Sequence, residues 1–241
     1  MLRHESIIYQ LKLVITCEHG GNEIPECYRL LFQKEKNVLE THKGFDLGAL
    51  DIFEYLKPLS AYSKSSKTSR LLIELNRSLH HPKLFSKYTK SLNFTEKETI
   101  VSKYYNPYRN EVASEISKLI YNNEQVLHLS IHSFTPNLNS TERQCDIGLL
   151  YDSRRLSEKV FSTVFKSEIK STNSNLNVRF NYPYLGKADG FITFLRKKFP
   201  QNYTGLEIEI NQKFSKSNVM NINLKQTLLL ALKNVIEKQL N

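Results

Sequence analysis

Short apolar runs alternate along this chain with longer amphipathic stretches. Six runs read as strands, each short and rich in β-branched or bulky residues: Leu11–Thr16, Leu71–Leu75, Val126–Ile131, Asp146–Tyr151, Val178–Tyr182 and Gly205–Ile210. Five segments carry apolar residues at three- and four-residue spacing, the mark of a helix with one buried face: Asp46–Leu56, Pro107–Tyr121, Ser157–Lys170, Gly190–Lys198 and Leu224–Leu240. Pro107 suits a first turn, where its missing N–H costs nothing, and Asp46 suits the positive end of a helix dipole. Ser60–Ser69 and Ser171–Asn177 read as polar loops. Strands alternating with helices predict an α/β fold of three layers, with a mostly parallel central sheet flanked by helices. No repeat or linker divides the chain, so residues 1–241 are expected to form a single domain with room for a sizeable core.

Composition changes this picture little. Apolar residues make up 40% of the chain, and no run approaches the roughly 18 that a membrane-spanning helix needs. Met1–Gln10 lacks the apolar centre and small-residue cleavage site of a signal peptide. The three cysteines have no paired spacing, so neither a disulfide framework nor a Cys-based zinc motif is expected. A cytoplasmic protein with no membrane partner fits these features. The net charge of +10 raises nucleic acid as a partner. Against it, Lys34, Lys36, Lys64, Lys67, Lys87, Lys90, Lys197 and Lys198 are scattered, with no basic stripe interleaved with aromatics. The charge reads as a solvated surface that also steers a small anionic substrate, without nucleic acid. Nothing in the sequence bears on oligomeric state.

The candidate chemistry lies at strand ends, where open α/β sheets place their sites. Cys17-Glu18-His19-Gly20-Gly21-Asn22-Glu23 follows the first strand, and His132-Ser133-Phe134-Thr135-Pro136 follows Val126–Ile131. Two imidazoles so placed read as half of a metal site. Zinc hydrolases commonly add a carboxylate and leave a fourth position open, and here either Glu23 or Asp46 can supply it. His128 lies among apolar neighbours and reads as core. His80, His81 and His42 read as exposed, with His42 held in reserve because of its closeness to Asp46. Arginine beside a buried strand needs an anion, and its planar fork suits carboxylates. Arg70 is therefore a candidate to polarise a carbonyl oxygen or to pair with Glu74, and Asn76-Arg77 a candidate clamp for a substrate carboxylate. Glu207 and Glu209, two apart on an apolar strand, share a face, and burying both without a purpose is costly. One of them is expected to act as general base, with Glu209, nearer the strand's C-terminal end, preferred.

Four segments together resemble the N-formylglutamate amidohydrolase family, in the family's order and over about residues 11–212. They are Glu18-His19-Gly20-Gly21-Asn22, Ser69-Arg70-Leu71-Leu72-Ile73-Glu74-Leu75-Asn76-Arg77, His132-Ser133-Phe134-Thr135-Pro136 and Asp146-Ile147-Gly148-Leu149-Leu150-Tyr151. The resemblance implies a zinc-peptidase-like fold related to zinc carboxypeptidases and aspartoacylases. It implies one zinc ion on His19, Asp46 and His132. It also implies hydrolysis of the amide of a small N-acylated acidic amino acid such as N-formyl-L-glutamate. The helix after Asp46 also resembles the one that follows the acidic ligand of zinc-dependent muramoyl-alanine amidases. The His-x-x-Glu spacing of aspartoacylases fits less well, because position 22 is Asn and the glutamate falls at Glu23. Arg70 and Asn76-Arg77 are similar to the oxyanion arginine and carboxylate clamp of those relatives, with Glu74 standing where Asp is frequent. Two rival functions are a zinc-dependent cell-wall amidase or peptidase and a non-catalytic basic binding protein on the same scaffold.

Overall fold

A computed structural model describes residues 10–240, so the reading of the first nine residues lies outside the described region. The strands are β1 (Leu11–Cys17), β2 (Tyr62–Ser65), β3 (Gln125–Phe134), the two-residue pair β4 (Asn137–Leu138) and β5 (Thr141–Glu142), then β6 (Ile147–Leu150), β7 (Val178–Phe180) and β8 (Tyr203–Asn211). Six of them form one sheet in the order β2-β1-β3-β8-β6-β7. β2, β1, β3 and β8 run parallel, while β6 pairs antiparallel with β8 and carries β7 parallel to itself. The helices are α1 (Ala49–Leu56), α2 (Phe94–Ile100), α3 (Asn106–Tyr121), α4 (Leu156–Thr172), α5 (Phe191–Lys198) and α6 (Ile222–Leu240). A π-helical turn, Val101–Tyr105, joins α2 to α3, and Pro107 stands in the first turn of α3. The expected mostly parallel sheet flanked by helices is the fold observed.

Two expected elements change places. Leu71–Leu75 is not a strand but a series of turns, in which Leu72 N–H donates to the Ser69 carbonyl and Arg77 N–H to that of Glu74. Leu72, Ile73 and Leu75 are buried all the same, so apolar content reported burial and not strand geometry. The edge strand is instead β2, inside the supposed polar loop Ser60–Ser69. Its residues are only half-buried, and an edge position does not demand apolar side chains. The chain also contains a 3₁₀-helical stretch, Glu26–Glu40, kinked at Glu35, and α2, neither of which the apolar spacing announced.

The side-chain alternation of the strands divides the sheet into unlike faces. On one face Leu13, Ile15, Cys17, Leu127, Leu129, Ile131, Leu206, Ile208 and Ile210 pack against α1, α4 and α6. The opposite face begins apolar, with Val14, Val126 and Tyr203 against α3 and α5. Toward the C-terminal ends of β1, β3 and β8 it becomes polar, through Thr16, Glu18, His128, Ser130, His132, Glu207 and Glu209. His128 marks the change. It is fully buried, its Nε2 lies 2.8 Å from Thr16 Oγ1 and its Nδ1 2.8 Å from Tyr203 Oη.

Burial brings the His128 pKa down to about 4. The unfolded chain therefore takes up this proton first as the pH falls. The stabilising contribution is whole above pH ~6.5 and is lost as the pH drops toward 4, and it amounts to roughly 2–3 kcal/mol. Urea unfolding at pH 7 and pH 4.5 should show His128→Asn flattening the wild-type pH dependence by about that amount; an unchanged profile would contradict the assignment.

Candidate active site

Three irregular segments meet at the C-terminal ends of β1 and β3. The segment after β1 turns at Gly20-Gly21, and a side chain at Gly21 would collide with the backbone of Lys67. This close approach lets Glu23 N–H donate to the Lys67 carbonyl and Ser69 N–H to that of Glu23, both at 2.9 Å. Ser69 Oγ then donates to the Gly44 carbonyl at 2.8 Å, and Asp46 N–H donates to the His19 carbonyl at 3.0 Å. Asp46 lies three residues before α1, which starts after Gly48 in a left-handed conformation (φ 77°). His132 lies within β3, because that strand runs three residues further than its apolar run.

The result is a compact cluster of His19, Asp46 and His132, all buried. His19 Nδ1 is 3.1 Å from His132 Nδ1 and 3.3 Å from Asp46 Oδ2, and His132 Nδ1 is 3.0 Å from the same oxygen. Two imidazole nitrogens and a carboxylate oxygen facing one point form a donor set able to hold a metal ion. Ligands on a tetrahedral ion at ordinary Zn–N and Zn–O lengths stand roughly 3.3 Å apart, so the triangle has a fitting size.

The outward-facing atoms support that reading. His19 Nε2 meets Glu74 Oε1, and His132 Nε2 lies 3.2 Å from Glu18 Oε2 and 2.9 Å from Ser130 Oγ. Metal-binding imidazoles commonly donate their second N–H in this way, which leaves the inner nitrogen's lone pair for the ion. Asp46 Oδ1 accepts from Arg70 Nη1 at 3.0 Å, while Arg70 Nε and Nη2 donate to Glu74 Oε2 at 2.8 and 2.6 Å. With neutral imidazoles, Glu18, Asp46 and Glu74 outweigh Arg70 by two negative charges, the complement of a divalent cation.

The proton affinities follow from these contacts. Burial pushes the Glu18 carboxyl up, but His132 and Ser130 bring it down to about 2. Burial likewise opposes ionisation of Glu74 and Asp46; Arg70 and His19 hold Glu74 low, and His19, His132 and Arg70 hold Asp46 low. Burial disfavours the charged His132, yet hydrogen bonds to Asp46 and Glu18 raise its pKa well above the usual imidazole range. Glu209, paired in register with His132, behaves differently. Its Oε2 is buried and has no hydrogen-bond partner among the described residues. Burial drives its pKa up to about 8, with Asp46 and Glu207 adding to the rise against His132 and Arg70. On its other flank stands Gly148, where a side chain would collide with the Tyr182 carbonyl oxygen, so backbone covers the glutamate closely.

The remaining candidates lie around this centre. Glu207 is half-buried on the same face, with Gly190 and Asn76 nearby. Asn76 Oδ1 accepts from Phe191 N–H at 2.7 Å, and its amide nitrogen lies 3.4 Å from His132 Nε2. Arg77 Nη1 donates to the Asp189 carbonyl, and Arg109 from α3 secures the same turn through the Leu75 carbonyl at 2.8 Å. Glu23 is exposed and outside the cluster, as are His42 and His80, while His81 is half-buried and accepts from Lys83 N–H at 3.1 Å. A cavity of about 570 Å³ opens onto Asp46 and Arg70 and is walled by Phe134, Arg143, Tyr184 and Gln212. That size suits a small molecule. Among the described residues no helix is long and apolar enough to cross a membrane.

Comparison with known proteins gives the family and the fold. A family model described as N-formylglutamate amidohydrolase matches residues 11–215. A solved structure of a gene product from Agrobacterium tumefaciens is similar at 23% identity and a TM-score of 0.78, covering 95% of this chain and 90% of that one. An N-formylglutamate amidohydrolase from Ralstonia eutropha is similar at 18% identity and a TM-score of 0.71, covering 95% and 94%. The CwlD amidase of Clostridioides difficile, solved with the GerS lipoprotein, follows at 14% identity and a TM-score of 0.42, covering 94% and 99%. No curated protein sequence matches.

Two residues gain roles here that sequence reading did not assign. Glu18 was seen only as part of its motif, and Glu74 only as a partner for Arg70; each turns out to hold an imidazole. Glu18 sits on the same strand face as Thr16, and that parity was the available signal. Because Arg70 neutralises two buried carboxylates, Arg70→Met should destabilise the metal-free protein by about 2 kcal/mol, less than a fully buried pair because its side chain is 30% exposed. Denaturant titration in the presence of a chelator checks this, and a loss under about 0.5 kcal/mol would contradict it.

Proposed function

The chain belongs to the N-formylglutamate amidohydrolase family, and we propose that it is a zinc-dependent hydrolase of small N-acylated acidic amino acids, such as N-formyl-L-glutamate. The observation that carries this reading is the convergence of His19, Asp46 and His132 on one point, each backed by a charged partner. Two nitrogens and one oxygen suit zinc among common divalent ions. A bound zinc would supply Lewis acidity toward the amide carbonyl and lower the pKa of water.

The protein's own groups account for the rest. Glu74 and Glu18 fix the ring orientations of His19 and His132, and Arg70 fixes Asp46. Glu209 is the general base: one of its oxygens is buried without a hydrogen-bond partner among the described residues, it lies beside His132, and burial raises its proton affinity past neutrality to about 8. It removes the proton from the attacking water and returns it to the departing amine. Glu207 lies further along the same face, toward Asn76, and is the reserve for this role. Arg70, at the cavity wall, supplies positive charge where the oxyanion develops. Asn76 and Arg77 bind substrate from the His132 side, where Arg77 also steadies the Asp189 turn. The cavity, about 570 Å³, is of a size for a small molecule such as an N-acyl amino acid.

The purified protein should contain one equivalent of zinc, and a chelator should abolish hydrolysis of N-formyl-L-glutamate in a screen that includes N-acetyl and N-succinyl amino acids and peptidoglycan fragments. Turnover of the fragments alone would favour a cell-wall amidase; absence of both zinc and turnover would favour a binding protein. His132→Ala should lose metal and activity together, and a variant that keeps one equivalent of zinc would refute the ligand set. Glu209→Gln should retain zinc while kcat falls by about 10²–10⁴; a smaller loss, with Glu207→Gln inactive, would move the base to Glu207.

A further inference from the structure

A nearly buried arginine in the cavity has no carboxylate partner among the described residues. Arg143 is 9% exposed, and its backbone is tied down: its N–H donates to the Pro136 carbonyl at 2.7 Å, and its carbonyl accepts from Cys145 N–H at 2.9 Å. The guanidinium lies between two rings, 5.6 Å from the centre of Phe134 and 5.4 Å from that of Tyr184. Its hydrogen bonds all run from Nη1, to Thr135 O and Oγ1 at 3.4 Å and to Tyr184 Oη at 3.5 Å, the long limit for such bonds. Among the described residues no carboxylate pairs with it, whereas Arg70 on the same cavity holds two. Two carboxylates line the cavity, but Glu35 is paired with Lys87 and Asp46 with Arg70, and His42 and Lys43 add no negative charge.

A largely desolvated guanidinium without an anion is costly, and its planar fork is shaped for two carboxylate oxygens. The cavity it faces also opens onto Asp46 and Arg70, so an anion bound there belongs to the molecule presented to the cluster. We propose that Arg143 binds a carboxylate of the substrate and sets the preference for acidic amino-acid derivatives. This rests on the amide-hydrolase reading above. Arg77 serves a different wall, because its guanidinium is engaged at the Asp189 carbonyl.

The test uses zinc-loaded wild type, Arg143→Gln, Arg143→Lys and Arg77→Gln. Calorimetry measures glutarate binding, and kinetics compare N-formyl-L-glutamate with its two monoamides, N-formyl-L-glutamine and N-formyl-L-isoglutamine. Arg143→Gln should weaken glutarate binding by about 10- to 100-fold and shrink the preference for the diacid over one monoamide by a similar factor, chiefly through KM. Zinc content should be unchanged, and Arg143→Lys, which keeps the charge without the fork, should fall between. The proposal is overturned if glutarate affinity and both preferences survive in Arg143→Gln, if zinc is lost with them, or if Arg77→Gln alone produces the effect. A wild type that cleaves none of these amides yet binds glutarate through Arg143 would sink the hydrolase reading and leave this one standing.

Discussion

Charge compensation inside a dry sheet face is the constraint on which this site depends. Glu18, Asp46 and Glu74 are each nearly inaccessible, and an isolated carboxylate in such surroundings would be neutralised or expelled. Each is kept ionised by specific neighbours: His132 and Ser130 for Glu18, Arg70 and His19 for Glu74, and His19, His132 and Arg70 for Asp46. The same contacts determine which way the imidazoles point. Electrostatic stability and the geometry of the His19–Asp46–His132 cluster are therefore one arrangement, and a change to any outer partner disturbs both.

Glu209 is the exception in this arrangement. It shares the face and the burial but lacks a hydrogen-bond partner for one oxygen, and its proton affinity moves in the opposite direction. Carboxylates whose surroundings drive them apart in this manner commonly divide the roles of ligand, orienter and proton carrier. The paired carboxylates sit after β1, before α1 and in the 69–77 turns, and the one left unpaired among the described residues sits on β8.

Much of this was legible in the chain itself. β1, β3 and β8 were marked by buried apolar runs, α3 and α4 by their spacing, and His19 and His132 by their place beside those runs. Asp46 was chosen over Glu23 through a family pattern, and the structure brings Asp46 into the cluster while leaving Glu23 exposed. Other features were not legible because they depend on partners distant in sequence. β2 has no apolar signature, since an edge strand needs only a neighbour's backbone. Leu71–Leu75 has that signature without the geometry, because its backbone is satisfied by turns and by Leu84. The second role of Glu74 required knowing that a residue 55 positions away would place an imidazole against it.

The glycine at 148 leaves no gap between β6 and the chain crossing above it at Tyr182. Any bulkier residue there would prise that crossing upward and open a seam through which solvent reaches Glu209. A hydrated glutamate reverts toward ordinary acidity, so the raised proton affinity of Glu209 is held by an atom that is missing: the β-carbon that residue 148 does without.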